Sequence, residues 1–126
     1  MKKLIVDLDG TITLGNTSDY SNVLPNHELI RQLHEYKKNE FIIVVATARN
    51  MRSYEGNVGK INIHTLPVII KWLDEHNVPY DEIIVGKPWC GHDGFYIDDK
   101  AVRPSEFVSM SFDEITDMLA KEKPCS

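Results

Sequence analysis

Residues 3–11 read KLIVDLDGT, so an apolar run leads directly into two carboxylates, Asp7 and Asp9. Residues 4–6 have the apolar side chains of a buried strand, whereas a buried charge is costly unless a cation or hydrogen-bond donors meet it. Two acids directly after such a strand therefore predict a functional site at its end.

Similar apolar runs recur along the chain and alternate with helical patterns. Strands are predicted at residues 3–6, 41–46, 82–85 and 95–97, with a weaker run at 107–109. Helices are predicted at 26–38, with Asn26 as N-cap, at 65–76, with Thr65 as N-cap, and from Ser111, which forms a capping box with Glu114. Because parallel strands need crossovers that cover both sheet faces, this alternation predicts an α/β fold, a three-layer doubly wound parallel sheet. A length of 126 residues predicts a single domain over 1–126.

Composition and charge narrow the functional classes. The chain is 42% hydrophobic and 26% charged, as in an ordinary globular protein, and its formal net charge is −5. Its basic residues form no run longer than Lys37-Lys38, which argues against nucleic acid as a partner. The apolar run at 41–46 is too short to cross a bilayer, and Lys2-Lys3 lead into a strand without a signal peptide. We therefore expect no membrane partner and a cytoplasmic location.

The two cysteines, Cys90 and Cys125, are predicted to be free thiols, since one lies in a Gly-rich stretch and the other next to the C-terminus. Cys90 and His92 have no second Cys/His pair at a zinc-ligand spacing, which argues against structural zinc.

Four successive predicted strands are followed by residues with reactive or charged side chains. In open parallel sheets the ligand site lies beyond the carboxyl ends of the strands, so these residues are expected to converge at one sheet edge. Singly, each also fits an ordinary role, as a turn former, a cap or a solvated lysine. The residues in chain order are Asp7 and Asp9, Thr47, Lys87, and Asp98 with Asp99.

These motifs together resemble the haloacid dehalogenase (HAD) superfamily of aspartate-nucleophile phosphatases. The most specific match is Asp7-Leu8-Asp9-Gly10-Thr11, and the weaker ones are VVATAR with Thr47, VGKPW with Lys87 and YIDDK with Asp98 and Asp99. The resemblance spans residues 7–99 and implies a Rossmann-like HAD core. Residues 49–105 are also similar to small HAD proteins associated with capsular polysaccharide biosynthesis.

The resemblance implies a Mg²⁺-dependent phosphomonoesterase. Asp7 would be the nucleophile that forms an aspartyl-phosphate, and Asp9 the general acid and base. A carboxylate near a phosphate dianion is repelled by about 4 kcal/mol per charge pair at about 4 Å, so a cation is required. Lys87 would offset negative charge, and Thr47 would hold phosphoryl oxygens. The metal-ligand candidates are Asp7, Asp98 and Asp99, with the backbone carbonyl of Asp9 implied by the resemblance.

The gaps between the motifs are too short for a cap domain, so we expect an open, capless site that a second copy of the chain could cover. The expected substrate is a small phosphorylated metabolite such as a sugar phosphate. Gly10 allows the chain to turn so that backbone amides can approach phosphate. The substrate-binding candidates are Leu8, Gly10, Thr11, Ala48, Arg49, Arg52 and Lys60, the last three in a long predicted loop at 49–64.

The sequence also contains other candidate residues and is compatible with other functions. Tyr20, Trp89 and His92 are rim candidates, with a packing role favoured for Trp89, whereas His34, His64 and His76 are predicted to be structural. A phosphomutase uses the same nucleophile but needs a site closed to water, which the missing cap disfavours. The alternative outside catalysis is a phosphate-binding or regulatory HAD-like domain. Asp9 and Lys87 favour catalysis.

Overall fold

The computed structural model describes residues 2–15 and 19–122, so the prediction for Cys125 lies outside the described residues. The chain divides into two compact units, residues 1–89 and 90–126. The elements are β1 (Lys3–Val6), β2 (Thr13–Leu14), β3 (Leu24–Pro25), α1 (His27–Lys38), β4 (Ile42–Thr47), α2 (Val58–His64), α3 (Leu66–Glu75), β5 (Glu82–Val85), α4 (Pro104–Ser109) and α5 (Phe112–Ala120).

A parallel three-stranded sheet organises the first unit. Its order is β1-β4-β5, with Val6 opposite Val45 and Val45 opposite Ile83. Three consecutive residues of the central strand, Ile43 to Val45, are buried, as expected for a strand whose two faces are both covered. Strands β2 and β3 form a separate short antiparallel pair. The predicted α/β fold with a parallel sheet is confirmed.

Helix α1 begins where the sequence predicts. The Asn26 side chain accepts a hydrogen bond from the backbone N–H of Leu29 at 3.2 Å, which satisfies one of the free amides of the first turn. Its apolar stripe, which includes Leu29 and Leu33, is buried. In α3, Trp72 is 1% exposed and its indole N–H donates to the carbonyl of Val23 at 2.9 Å, joining this helix to the segment before β3. These contacts form the core of the first unit.

The predicted loop at 49–64 is wrong in its second half, because α2 occupies residues 58–64. The Asn57 side chain caps this helix by accepting from the Lys60 N–H at 3.1 Å. Helix α3 begins after Thr65, as predicted, but the Thr65 side chain forms no cap bond. Its hydroxyl donates instead to Asn50 Oδ1 at 2.7 Å, since Thr65 has helical backbone angles (φ −100°, ψ −46°) rather than the extended angles of an N-cap.

The second unit differs from the predicted strands. Residues 95–97 form no strand, although their side chains are apolar or aromatic, because a strand also requires a partner for its backbone. The weak strand predicted at 107–109 is part of α4, where Pro104 occupies the first turn and Glu106 Oε1 accepts from the Arg103 N–H at 2.8 Å. The predicted Ser111–Glu114 capping box at α5 is confirmed, with bonds of 2.9 and 3.1 Å.

None of the helices in the described part of the chain combines the length and apolar character needed to cross a membrane.

Candidate active site

The turn that follows β1 places two carboxylates beyond the sheet. Residues Leu8–Ile12 form a single irregular helical turn in which Gly10 has φ +80°, a conformation that favours glycine. Leu8 and Ile12 are buried at 1% and 0% exposure and hold the turn on the core. The Gly10 N–H donates to Thr13 Oγ1 at 3.1 Å, so this amide has a partner within the turn.

Asp7, at the carboxyl end of β1, lies beside a lysine from a distant segment. Its Oδ1 is 3.4 Å from Lys87 Nζ, and its Oδ2 accepts from the Thr11 hydroxyl at 3.1 Å. The Lys87 backbone N–H donates to the Thr47 carbonyl at 3.1 Å, which fixes the segment after β5 at the end of β4. The Asp7 side chain remains 36% exposed. A partly exposed carboxylate beside an ammonium group can receive an anionic ligand.

Asp9 is held by an arginine. Arg49 Nε donates to Asp9 Oδ2 at 3.0 Å and Arg49 Nη2 to Asp9 Oδ1 at 2.7 Å, a two-bond arrangement that fixes the carboxylate plane. The Arg49 side chain is only 1% exposed, and its guanidinium carbon lies 4.0 Å from the centre of the Tyr20 ring. Among the described residues, Arg49 Nη1 is buried without a hydrogen-bond partner.

The sequence predicts that Arg49 binds substrate, whereas in the structure its guanidinium binds the Asp9 carboxylate. The β1–β4 pairing offered a signal for the observed contact, because Asp9 and Arg49 follow the carboxyl ends of neighbouring strands. Tyr20, a predicted rim residue, contributes its ring to the arginine.

The other predicted phosphate-binding residues occupy several environments. Thr47 is buried at 1% exposure, and its Oγ1 accepts from the Arg49 N–H at 3.1 Å. Leu8 packs in the core, whereas Thr11 and Ala48 are partly exposed. Arg52 and Lys60 are exposed cations. The structure thus brings Asp7 together with Lys87 and Thr11, and Asp9 together with Arg49.

Predicted structural histidines have neighbours that suit that role. His34 Nε2 lies 2.8 Å from the Asn77 carbonyl, and the His76 ring packs 4.4 Å from the Trp72 ring. The His64 ring lies 5.8 Å from that of Tyr54. Trp89 is 41% exposed.

Asp98 and Asp99 belong to the second unit and are exposed. Asp98 Oδ1 accepts from the Lys100 N–H at 2.7 Å, the local bond of a turn. Within residues 2–15 and 19–122, no group of three or more His, Cys, Asp or Glu side chains is placed to hold a metal ion. Mg²⁺ requires octahedral oxygen ligands, commonly from carboxylates. Such carboxylates are present in both units, Asp7 in the first and Asp98 with Asp99 in the second.

The fold and the site define a class of protein. Residues 4–72, more than half of the chain, match the family model described as haloacid dehalogenase-like hydrolase. The chain belongs to this family.

Particular relatives are known among solved structures. The crystal structure of a target protein from Vibrio cholerae shares 72% identity, with a TM-score of 0.96 over 98% of this chain and 100% of that one. The D,D-heptose 1,7-bisphosphate phosphatase from B. bronchiseptica, complexed with magnesium and phosphate, shares 16% identity, with a TM-score of 0.47 over 75% of this chain and 54% of that one. No functional property follows from likeness at that level. None of the curated proteins matches this chain.

Proposed function

We propose that the protein is a phosphomonoesterase in which Asp7 is the nucleophile. The observation that supports this most directly is the Asp7 carboxylate, partly exposed, 3.4 Å from Lys87 Nζ and bonded to the Thr11 hydroxyl. An ammonium group at this position offsets the repulsion between a carboxylate and an incoming phosphate.

The proposed reaction has two steps. An Asp7 oxygen attacks phosphorus, the phosphorus–oxygen bond to the leaving group breaks, and Asp9 supplies a proton to the departing oxygen. Water then attacks the aspartyl-phosphate and loses a proton to Asp9, which releases phosphate and restores Asp7. Arg49 is a positioning residue in this scheme because its two bonds fix the orientation of the Asp9 carboxylate.

We propose a small phosphorylated metabolite as substrate, with a sugar phosphate as the class that the resemblance to capsule-associated proteins favours. Arg52 and Lys60 are exposed cations that could bind further anionic or hydroxyl groups. Mg²⁺ is the proposed cofactor, because family resemblance and the need for charge neutralisation both favour it. Asp7 and one or both of Asp98 and Asp99 are its proposed side-chain ligands, and the backbone carbonyl of Asp9 is a further proposed ligand.

The test is release of inorganic phosphate from an aryl phosphate in the presence of Mg²⁺. We expect Asp7→Asn to lower kcat by at least about a thousandfold and Asp9→Asn by about a hundredfold or more, because each removes a reacting group. Asp117→Asn, which alters an exposed carboxylate on α5, is the matched control and should retain full activity. Activity that survives Asp7→Asn would refute the mechanism. A wild-type protein that binds phosphate without releasing it from any ester would instead favour the non-catalytic alternative.

A further inference from the structure

Asn26, the N-cap of α1, also binds the turn that follows β1. Its Oδ1 accepts from the Leu29 N–H at 3.2 Å, and its backbone carbonyl accepts from the Ile30 N–H at 3.0 Å, as at the start of a capped helix. Its side-chain Nδ2 donates to the Thr11 carbonyl at 3.2 Å, and its backbone N–H donates to the Ile12 carbonyl at 2.8 Å. All four polar groups of this residue therefore have partners, and two of those partners lie in the turn.

Capping alone does not explain why this residue is an asparagine. Asn, Asp and Ser are about equally good N-caps, because each offers a side-chain oxygen to the amides of the first turn. Among the three, only asparagine carries an acceptor and a donor on separate side-chain atoms. The donor bond from Asn26 to the Thr11 carbonyl is the one that capping does not use. This bond therefore indicates a second role for the side chain.

The turn after β1 is irregular, and two of its carbonyls are bound from outside it. The backbone leaves helical angles at Asp9, with φ −73° and ψ 124°, and at Gly10, with φ +80°, so the repeating bonds of a regular helix are interrupted. The carbonyls of residues 11 and 12 take their donors from Asn26 instead. Asn26 is itself held by the first turn of α1, whose buried apolar stripe belongs to the core. Helix α1 thus holds the turn through a single residue.

Thr11 connects this contact to the proposed nucleophile. The Thr11 hydroxyl donates to Asp7 Oδ2 at 3.1 Å, whereas Asp7 Oδ1 is 3.4 Å from Lys87 Nζ. A lysine ammonium lies on a flexible four-carbon stem, so it offsets charge but fixes an orientation less closely than a short hydroxyl side chain does. An oxygen that attacks phosphorus must be aligned with the bond that breaks, and a displacement of about 1 Å can lower the rate about a hundredfold. The placement of Thr11 therefore affects the placement of the attacking carboxylate.

We propose that Asn26 is a positioning residue for the Asp7 nucleophile. Its amide donor holds the backbone of Thr11, and the Thr11 hydroxyl holds one oxygen of Asp7. Each of the two reacting carboxylates then has its own positioning contact, since Arg49 holds Asp9. The effect on catalysis rests on the proposed function, whereas the connection between α1 and the turn does not.

The first experiment uses variants of the full chain that keep the helix cap but lose the amide donor. Asn26→Ser removes the donor without adding a charge, and Asn26→Asp removes it while keeping the shape of the side chain. We expect both to lower kcat for an aryl phosphate about 10- to 100-fold with little change in KM, because the orientation of the nucleophile matters most in the transition state. The midpoint of urea unfolding should stay close to that of the wild type, since the cap is retained.

Asn39, at the other end of α1, provides the matched control. Its Nδ2 donates to the Glu35 carbonyl at 3.0 Å, so Asn39→Ser and Asn39→Asp remove a bond of the same kind at a distance from the turn. Both should keep the wild-type kcat. Equal kcat values in the Asn26 and Asn39 variants would overturn the proposal. A loss confined to Asn26→Asp would overturn it as well, because the added charge rather than the missing donor would then be the cause.

Amide hydrogen exchange separates this inference from the proposed function. The Gly10 N–H, bonded to Thr13 Oγ1, and the Thr13 N–H, bonded to the Leu8 carbonyl, report on the turn. In Asn26→Ser we expect both to exchange at least about tenfold faster than in the wild type, while amides at the centre of α1 keep their rates. Faster exchange in a protein that releases no phosphate from any ester would contradict the phosphatase and leave the connection to α1 supported. Unchanged exchange would overturn the proposal even in an active enzyme.

Discussion

Arg49 is buried, whereas most arginine side chains are solvated at the protein surface. A buried guanidinium is costly unless its donors are met, and here the Asp9 carboxylate and the Tyr20 ring meet part of that cost. The two hydrogen bonds from this buried side chain restrict the orientation of the Asp9 carboxylate. The geometry of Asp9 therefore depends on Arg49.

Replacing Arg49 should impair substrates with poor leaving groups more than those with good ones. An alkoxide needs a proton from a correctly placed Asp9 as it departs, whereas a nitrophenolate does not. We expect Arg49→Lys to lower kcat for an alkyl phosphate about 10- to 100-fold more than kcat for an aryl phosphate. The measurement is kcat for both esters, with Arg31→Lys on the exposed face of α1 as control. Equal losses for the two esters would argue against a positioning role.

At the scale of single residues, sequence reasoning could predict the Asp7–Lys87 pair but not the Asp9–Arg49 pair. Asp7 and Lys87 were placed together by the rule that strand ends converge. Arg49 follows a strand end as well, yet nothing in the local sequence distinguishes a buried arginine that binds a carboxylate from an exposed one that binds a substrate.

At the scale of secondary-structure elements, Asp81 joins α1 to β4. Its carboxylate accepts from Lys37 Nζ at 2.6 Å and from the Ile43 backbone N–H at 2.8 Å. The hydrogen bond from Lys37, followed by that from the Ile43 amide, lowers the pKa of Asp81 below its usual value. A helix end, the central strand and the residue before β5 are thus held together by one side chain.

Asp81→Asn should destabilise the fold by about 1 kcal/mol near neutral pH, since this charged but partly exposed hydrogen bond is screened by solvent. The folded pKa is lowered, so the stabilisation is present above the unfolded pKa and is lost as the pH falls through the folded pKa. Urea unfolding at neutral and acidic pH would measure this. Glu35→Gln, which removes an exposed pair with Lys38, should change stability little at either pH. If Asp81→Asn lowered the free energy of unfolding equally at low pH, the stabilisation could not be assigned to the ionised Asp81 carboxylate.

The elements that sequence predicted correctly are those with local signals. The Asn26 cap of α1 and the Ser111–Glu114 box of α5 depend on residues within one turn. The strand predicted at 95–97 depends instead on a backbone partner elsewhere, which periodicity cannot identify. Helix α2 was missed because its stripe is short, with only Ile61 buried.

At the scale of the whole molecule, composition and the alternation of strands and helices were sufficient to predict an α/β fold, and the family match agrees. The hydrophobic pattern does not show where residues 95–97 would pair, because it identifies an apolar segment but not its backbone partner.

In the proposed mechanism Asp7 takes the phosphoryl group, and the most direct measurement is to trap the group there. Wild-type protein mixed with an aryl phosphate and Mg²⁺ is quenched rapidly, reduced with borohydride, digested and examined by mass spectrometry. We expect Asp7 alone to be reduced, as an acyl phosphate would be, and no such product to form in Asp7→Asn. Phosphate release with normal turnover and a label on another residue, or on none in repeated early quenches, would contradict it.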